Sequence, residues 1–209
     1  MEDVSVVHII DDDRSLREAL ASLFASVGLE TRLYAAVQDF LDADRPDMPA
    51  CLVLDVRLPG MSGLDAQDHL KELGVHMPVV LMTGHGDIPM SVRGMKAGAL
   101  DFLTKPFRDQ DMLDAVLAAL DHDRAQRSSD LKLNELTARL NTLSPRERQV
   151  MALVATGKLN KQIAWDLQLS EITVKIHRGA AMRKMEARTL PELVRMADAL
   201  DLRVEATRN

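Results

Sequence analysis

Five polar side chains in this chain each stand at the end of an apolar run that reads as a β-strand. Asp11 and Asp12 follow Val6–Ile10, Asp55 closes Cys51–Leu54, Thr83 follows Val79–Met82, and Lys105 follows Leu100–Thr104. In a parallel α/β sheet the C-terminal ends of the strands open into one crevice, so these five are expected to converge. Three carboxylates with no cysteine or well-placed histidine suit a hard divalent cation such as Mg2+ or Mn2+, which keeps waters and phosphate oxygens around it. A carboxylate can also be a nucleophile and carry a phosphoryl group as an aspartyl-phosphate. Asp55 is the expected nucleophile because it stands alone on a central strand, leaving Asp11 and Asp12 to share the metal. Lys105 and Thr83 would then bind the phosphoryl oxygens. Each residue singly has a plainer reading: Asp11 or Asp12 could cap a helix, as Asp13 is expected to do for the helix from Arg14. Thr83-Gly84 could be an ordinary turn and Lys105 before Pro106 a solvated lysine. The conjunction of all five, in order on four strands, carries the chemistry.

The elements that must position them alternate at intervals of about 25 residues. Strands are expected at Val6–Ile10, Thr31–Tyr34, Cys51–Leu54, Val79–Met82 and Leu100–Thr104. Amphipathic helices are expected near Arg14–Ser26, Val37–Asp42, Leu64–Leu73, Met90–Lys96 and Asp109–Leu120. Near-continuous apolar strands separated by helices imply a parallel sheet covered on both faces. That α/β unit is expected over residues 1–122, with a helical linker over 123–141. In the linker, the polar run His122–Ser129 precedes Leu133, Leu136, Leu140 and Leu143, spaced three, four and three apart. The segment reads as an amphipathic helix, either separate or an extension of the fifth; the repeat is too short to establish a coiled coil, and a helix lying on its own domain is the simpler reading.

From residue 142 to 209 no strand pattern survives, and four short helices are expected to form an all-α unit. Ser144-Pro145-Arg146-Glu147 is a capping box that opens the first, with Gly157 just past its end. The second covers Asn160–Leu167, Ser170 caps the third, and Thr189-Leu190-Pro191-Glu192 opens the fourth. The middle two, joined by a tight turn, fit a helix-turn-helix whose second member enters the major groove. It presents Thr173, Lys175, Ile176, His177, Arg178, Arg183 and Lys184. Residues near its start would read base edges, while Lys161, Arg183 and Lys184 would hold phosphates.

Charge supports two partners. The net charge is −6, yet residues 142–209 hold 12 Lys and Arg against 8 Asp and Glu, and residues 1–141 hold 14 against 24. An acidic half joined to a basic one admits a polyanion for the second. No stretch approaches the roughly 18 uninterrupted apolar residues of a membrane helix. The acidic start Met1-Glu2-Asp3 is unlike a secretory signal, and the single Cys51 suits a reducing interior, so a soluble cytoplasmic chain is expected.

Residues 1–120 resemble the receiver domain of two-component response regulators. The resemblance rests on Ile10-Asp11-Asp12-Asp13, Leu54-Asp55 through Gly63, Met82-Thr83-Gly84-His85-Gly86 and Phe102-Leu103-Thr104-Lys105-Pro106-Phe107. It implies a flavodoxin-like (βα)5 fold, Asp55 as phosphoacceptor, and a sensor histidine kinase as donor. It also implies metal binding by Asp11, Asp12 and Asp55 with the backbone carbonyl of Arg57, and a cis Lys105-Pro106 peptide. Phe102 falls where the family pairs an aromatic with Thr83 as a switch; lacking a hydroxyl, it would act by packing alone. The C-terminal segments resemble the LuxR-type output domain of the FixJ/NarL subfamily, which makes Lys175 and Ile176 the expected base contacts. Gly179 stands where some relatives place a third groove-contacting side chain.

The function expected is a DNA-binding response regulator that regulates transcription at promoter DNA, with RNA polymerase as a further partner. Phosphorylation would rearrange the face of the fourth helix and fifth strand, where Val92 and Lys96 share one helix side, so that it dimerises or releases the output domain. A phosphatase working through aspartyl-phosphate is the enzyme alternative. The haloacid dehalogenase type needs a second acid two residues after the nucleophile, where this chain has Arg57, and no Walker A pattern occurs. A regulator that binds DNA without phosphorylation would show a broken acidic pocket, and here the pocket residues are all present. At most slow autodephosphorylation is expected, tuned by Arg57 and His85 beside the site. Arg57→Ala and His85→Ala should therefore change the rate at which the phosphorylated chain loses phosphate; rates equal to wild type would contradict this.

Overall fold

The computed structural model describes residues 5–84 and 88–202. The chain divides into two compact units, residues 1–127 and 128–209. In the first, β1 (Val6–Ile10), β2 (Glu30–Tyr34), β3 (Ala50–Asp55), β4 (Val79–Thr83) and β5 (Asp101–Thr104) form one parallel sheet in the order β2-β1-β3-β4-β5. The crossovers contain α1 (Arg14–Ala25), α2 (Val37–Asp42), α3 (Gly63–Glu72) and α4 (Ile88–Lys96), and α5 (Asp109–Asn141) follows β5.

Period-two alternation divides the apolar side chains between the two faces of the sheet. Val7, Ile9, Cys51, Val53, Val80 and Met82 pack with Leu20 and Phe24 of α1 and Met112, Val116 and Leu120 of α5. Ile10, Leu52, Leu54 and Leu81 face the other way, toward Val37, Phe40, Leu64 and Leu70. The inner strands β1, β3 and β4 are buried throughout, as continuous apolar runs require. The edge strands depart from that expectation: β2 is mostly exposed and β5 half-buried, because each has a neighbour on one side only.

Helix α5 does not stop at Leu120. No glycine or proline interrupts Asp109–Asn141, and it continues as a single helix through the polar run that reads as a linker. Within the first unit that run has long-range partners. Asp123 accepts from the Ala50 amide at 3.0 Å and from Arg127 Nε at 2.7 Å, while Arg124 Nη2 donates to Ser5 Oγ at 2.7 Å.

In the second unit α6 (Pro145–Ala155), α7 (Asn160–Leu167), α8 (Glu171–Lys184) and α9 (Leu190–Ala199) enclose Val150, Met151, Ile163, Val174, Ala181, Met185 and Leu193. Leu136, Leu140 and Leu143 join this core, so the leucine repeat serves its own unit, whereas Leu133 is exposed. The expected caps are present: Ser144 Oγ accepts from the Glu147 amide and Glu147 from the Ser144 amide. Helix α8 ends at Lys184, and just beyond it Glu186 turns left-handed at φ 57°. No helix among the described residues is long and apolar enough to cross a membrane.

One buried ring gives the sheet a pH dependence. His8 stacks on Tyr34 with 5.8 Å between centroids, meets Phe40 edge-on at 5.2 Å, and bonds Tyr34 Oη at 3.1 Å. Its Nε2 has no hydrogen-bond partner. Burial, reinforced by the charges of Arg32 and Arg45, lowers its pKa to about 4 from 6.5. The unfolded chain then binds a proton more readily than the folded one between those values, so stability is complete above pH 6.5 and falls as pH drops toward 4. Urea unfolding should show a loss of about 2 kcal/mol across that window, and His8→Phe should flatten it. An equal slope in the variant would contradict the assignment.

Candidate phosphoryl and DNA-binding sites

The strand register delivers the first cluster. Ile10 pairs with Leu54, Asp55 with Met82, and Thr83 with Thr104, so Asp11 arrives level with Asp55, Thr83 one residue beyond, and Lys105 two beyond. At about 3.3 Å per residue the lysine backbone lies roughly 7 Å past the carboxylates, a gap its four-carbon stem can reach back across. Lys105 Nζ indeed sits 2.7 Å from Asp11 Oδ2 and 2.8 Å from Asp55 Oδ1. The Lys105 amide donates to the Thr83 carbonyl at 2.7 Å, and the Lys105–Pro106 peptide is cis, as the resemblance implies. The second oxygen of Asp55 accepts from the Arg57 amide at 2.9 Å.

Asp11, Asp55 and Thr83 are buried, at 1%, 4% and 0% exposure. Burial raises the pKa of Asp11 and the charge of Asp55 adds to it, against the opposing hydrogen bonds of Lys105 and the Asp13 amide. For Lys105, burial works against the ammonium, but bonds and charges from both aspartates outweigh it and hold its pKa above the ordinary value. Lys105 thus stays cationic between two carboxylates.

The expected convergence of five is only partly found. Asp12 is exposed, one residue beyond the Asp11 that Lys105 grips, and among the described residues no three acidic, histidine or cysteine side chains group as a metal cage. Asp13 caps α1 through the amides of Ser15 and Leu16, as expected. The donor set still fits a hard dication: every donor is oxygen, and three carboxylates against one ammonium leave a local charge near −2. Arg57 is exposed, and His85 lies outside the described residues. Phe102 is half-buried against the cluster that contains Leu81, near Gly94 of α4, where an added Cβ would lie 2.6 Å from Leu81 Cδ1 and in ordinary contact with Phe102. Val92 and Lys96 are both exposed on α4, one turn apart.

In the second unit, three residues separate α7 from α8, with Gln168 left-handed at φ 54°. Ser170 Oγ accepts from the Thr173 amide at 3.1 Å and bonds the Thr173 hydroxyl at 2.8 Å, so Thr173 is part of the cap. Lys175, Ile176, Arg183 and Lys161 are exposed, and His177 is half-buried. Arg178 Nη1 donates to Asn160 Oδ1 at 3.2 Å, tying α8 to the start of α7. Lys184 is held within the unit: its ammonium lies 2.6 Å from Glu147 Oε2 and 3.1 Å from the Thr142 carbonyl. Two exposed side chains went unnoticed in the sequence, Trp165 on α7 at 85% and Ile172 on α8 at 71%. Ile172 could have been found from its position one turn before Ile176.

Comparison with known proteins gives two family matches: the response regulator receiver domain over residues 7–117, and bacterial regulatory proteins of the luxR family over 141–197. Nodulation protein W of Bradyrhizobium diazoefficiens is 52% identical over 203 residues, spanning 97% of this chain and 89% of that protein. The response regulator protein TodT of Pseudomonas putida is 47% identical over 196 residues, spanning 94% and 86%. Among solved structures, the response regulator StyR matches with a TM-score of 0.80 at 42% identity, covering 93% of this chain and 98% of that one. Full-length FixJ from B. japonicum matches with a TM-score of 0.57 at 38% identity, covering 94% and 97%.

Gly63 sets the backbone that carries Asp55. Its amide donates to the Val56 carbonyl at 2.9 Å, and a Cβ there would lie 2.2 Å from the Asp55 carbonyl oxygen and 2.8 Å from Val56 Cα. These are backbone atoms that no rotamer change can move aside. Gly63→Ala should lower stability to urea by about 1–3 kcal/mol. An unchanged unfolding midpoint would contradict this packing.

Proposed function

Because the chain belongs to the two-component response regulators that join a receiver domain to a LuxR-type DNA-binding domain, we propose that Asp55 accepts the phosphoryl group. As a member it is a DNA-binding regulator of transcription, and its receiver implies a histidine kinase as partner. Receiver domains generally bind Mg2+ at the phosphorylation site. The family is one of regulators; the slow loss of phosphate from Asp55 to water is part of our reading.

The observation that carries the proposal is Lys105 bridging Asp11 and Asp55. In the transfer, a carboxylate oxygen of Asp55 forms the new O–P bond as the N–P bond to the donor histidine breaks. Aspartyl-phosphate formation puts anionic oxygens beside the Lys105 ammonium, which exchanges a carboxylate partner for a phosphoryl one. The Arg57 amide holds the second carboxylate oxygen, so the nucleophile is oriented before the donor arrives. Asp11, Asp12, Asp55 and the Arg57 carbonyl would hold the metal, which supplies neutralising charge for the transferred group.

The Thr83 hydroxyl then closes on the phosphoryl group, and Phe102, packed beside α4, follows by repacking alone. That change alters the α4 face bearing Val92 and Lys96, where two copies pair and bring two α8 helices to successive half-sites. Phosphate contacts rest on Lys161 and Arg183, since Lys184 is held by Glu147. Contact with RNA polymerase follows on the promoter.

The test is binding to duplexes selected by the protein from a random-sequence library, with and without acetyl phosphate and Mg2+. Wild type should gain at least about ten-fold in affinity, equivalent to ~1.4 kcal/mol, and Asp55→Asn should gain nothing. An equal gain in Asp55→Asn would remove Asp55 from the mechanism.

A further inference from the structure

The acidic turn after β1 is gripped from α1 by an arginine outside the set of residues that meets the phosphoryl group. Arg17 is half-buried, folds back six residues and donates through Nη1 to the backbone carbonyl of Asp11. Its own amide donates to the Asp13 carbonyl at 3.1 Å, and the Asp13 carboxylate caps α1. Residues 11–13 are thus held from α1 at both ends of the turn.

Within that turn the two acids are held very differently. The Asp11 amide donates to the Tyr34 carbonyl at 3.3 Å, its Oδ1 accepts from the Asp13 amide at 2.8 Å, and its Oδ2 accepts from Lys105 at 2.7 Å. Asp12 is exposed, and among the described residues none bonds its carboxylate. Its place is therefore set by the backbone alone. The peptide that joins the two acids is planar, so the direction of the Asp11 carbonyl fixes the plane in which the Asp12 Cα lies.

Resting on the reading of Asp11 and Asp12 as ligands of a divalent cation, we propose that Arg17 is a positioning residue that sets Asp12 for that cation through the 11–12 peptide. Its choice of partner separates this role from two plainer ones. A guanidinium serving as a counter-charge would take the open Asp12 carboxylate, since bonds between charged groups are the stronger ones. Arg17 takes the neutral carbonyl of the same peptide instead, and leaves the Asp12 oxygens unoccupied, as a ligand acid requires. A tie serving only to hold α1 has little to add, because Leu20 and Phe24 already bury that helix in the core and Asp13 caps it.

The experiment titrates the full chain with Mn2+, reading free Mn2+ by electron paramagnetic resonance. Arg17→Met keeps the long stem and removes the donor. Outer partners of metal ligands are typically worth ten-fold or more in affinity, so this variant should bind Mn2+ about ten-fold more weakly. Arg17→Lys should recover most of the loss, since a single carbonyl needs one donor rather than a fork. Arg14→Ala removes an exposed arginine of the same helix that pairs with Glu18, and should bind as wild type does. Urea unfolding at one fixed Mn2+ concentration should show a smaller metal-induced gain for Arg17→Met than for wild type, whatever the variant's stability without metal. With acetyl phosphate, the Mg2+ concentration for half-maximal labelling of Asp55 should rise while the rate at saturating Mg2+ stays near that of wild type.

Tighter Mn2+ binding by Arg17→Met would make Arg17 a counter-charge, and equal binding with lowered stability would make it a fold tie. Either result overturns the proposal and leaves the phosphoryl site as read, as does an equal loss in Arg14→Ala. Wild type that binds no Mn2+ overturns the metal reading of the site and the role of Arg17 together.

Discussion

A single ammonium holds the receiver unit in readiness. Lys105 sits between Asp11 and Asp55, two buried carboxylates that would repel each other in a weakly screening interior if nothing cationic stood between them. The arrangement is poised rather than settled. Asp11 is held reluctantly ionised by its burial, and one positive charge answers three negative ones. A site with that imbalance gains by taking up cationic charge, and Lys105 is free to follow new anionic oxygens without leaving the crevice.

The rest of the first unit exists to make that geometry accurate. Side chains from β1, β3 and β5 meet because the parallel register sets Asp11 level with Asp55 and Lys105 two residues beyond, a gap that only the longest of the three has to bridge. The backbone below is fixed by close approach at Gly63 and by the Arg57 amide on Asp55. Buried strands on both sides leave little room for Asp55 to move, so a change of charge there is felt in packing, at Phe102 and α4. In the second unit the same economy holds: Arg178, Lys184 and Thr173 stabilise the unit, and what remains exposed on α8 is a small, distinctive set.

The sequence pattern made much of this legible, for reasons that can be traced. Apolar runs ending in Asp55, Thr83 and Lys105 announced both the strands and the crevice, since a parallel sheet leaves few other places for those ends. The capping box at Ser144 and the cap at Ser170 announced the helix starts because a cap is a local device. What could not be read depends on partners distant in the chain. Asp123 belongs to β3 through Ala50, 73 residues away, a contact that the expected helical linker did not reveal, and of the two readings of that linker the extension of α5 is the one found. The ion pair of Lys184 with Glu147, 37 residues earlier, likewise has no local signal in the sequence. Asp12, adjacent to Asp11, differs from it wholly in exposure, because β1 has ended at Ile10 and the chain turns outward there toward α1.

The account stands on Asp55 being the residue that receives the phosphoryl group. An acyl phosphate is reduced by borohydride to the alcohol, so a phosphorylated aspartate is recorded as homoserine in the peptide that contained it. After phosphorylation with acetyl phosphate and Mg2+, reduction and mass spectrometry should place homoserine at position 55 and at no other. Homoserine at Asp11 or Asp12, or none under conditions that label another receiver domain, would contradict the account.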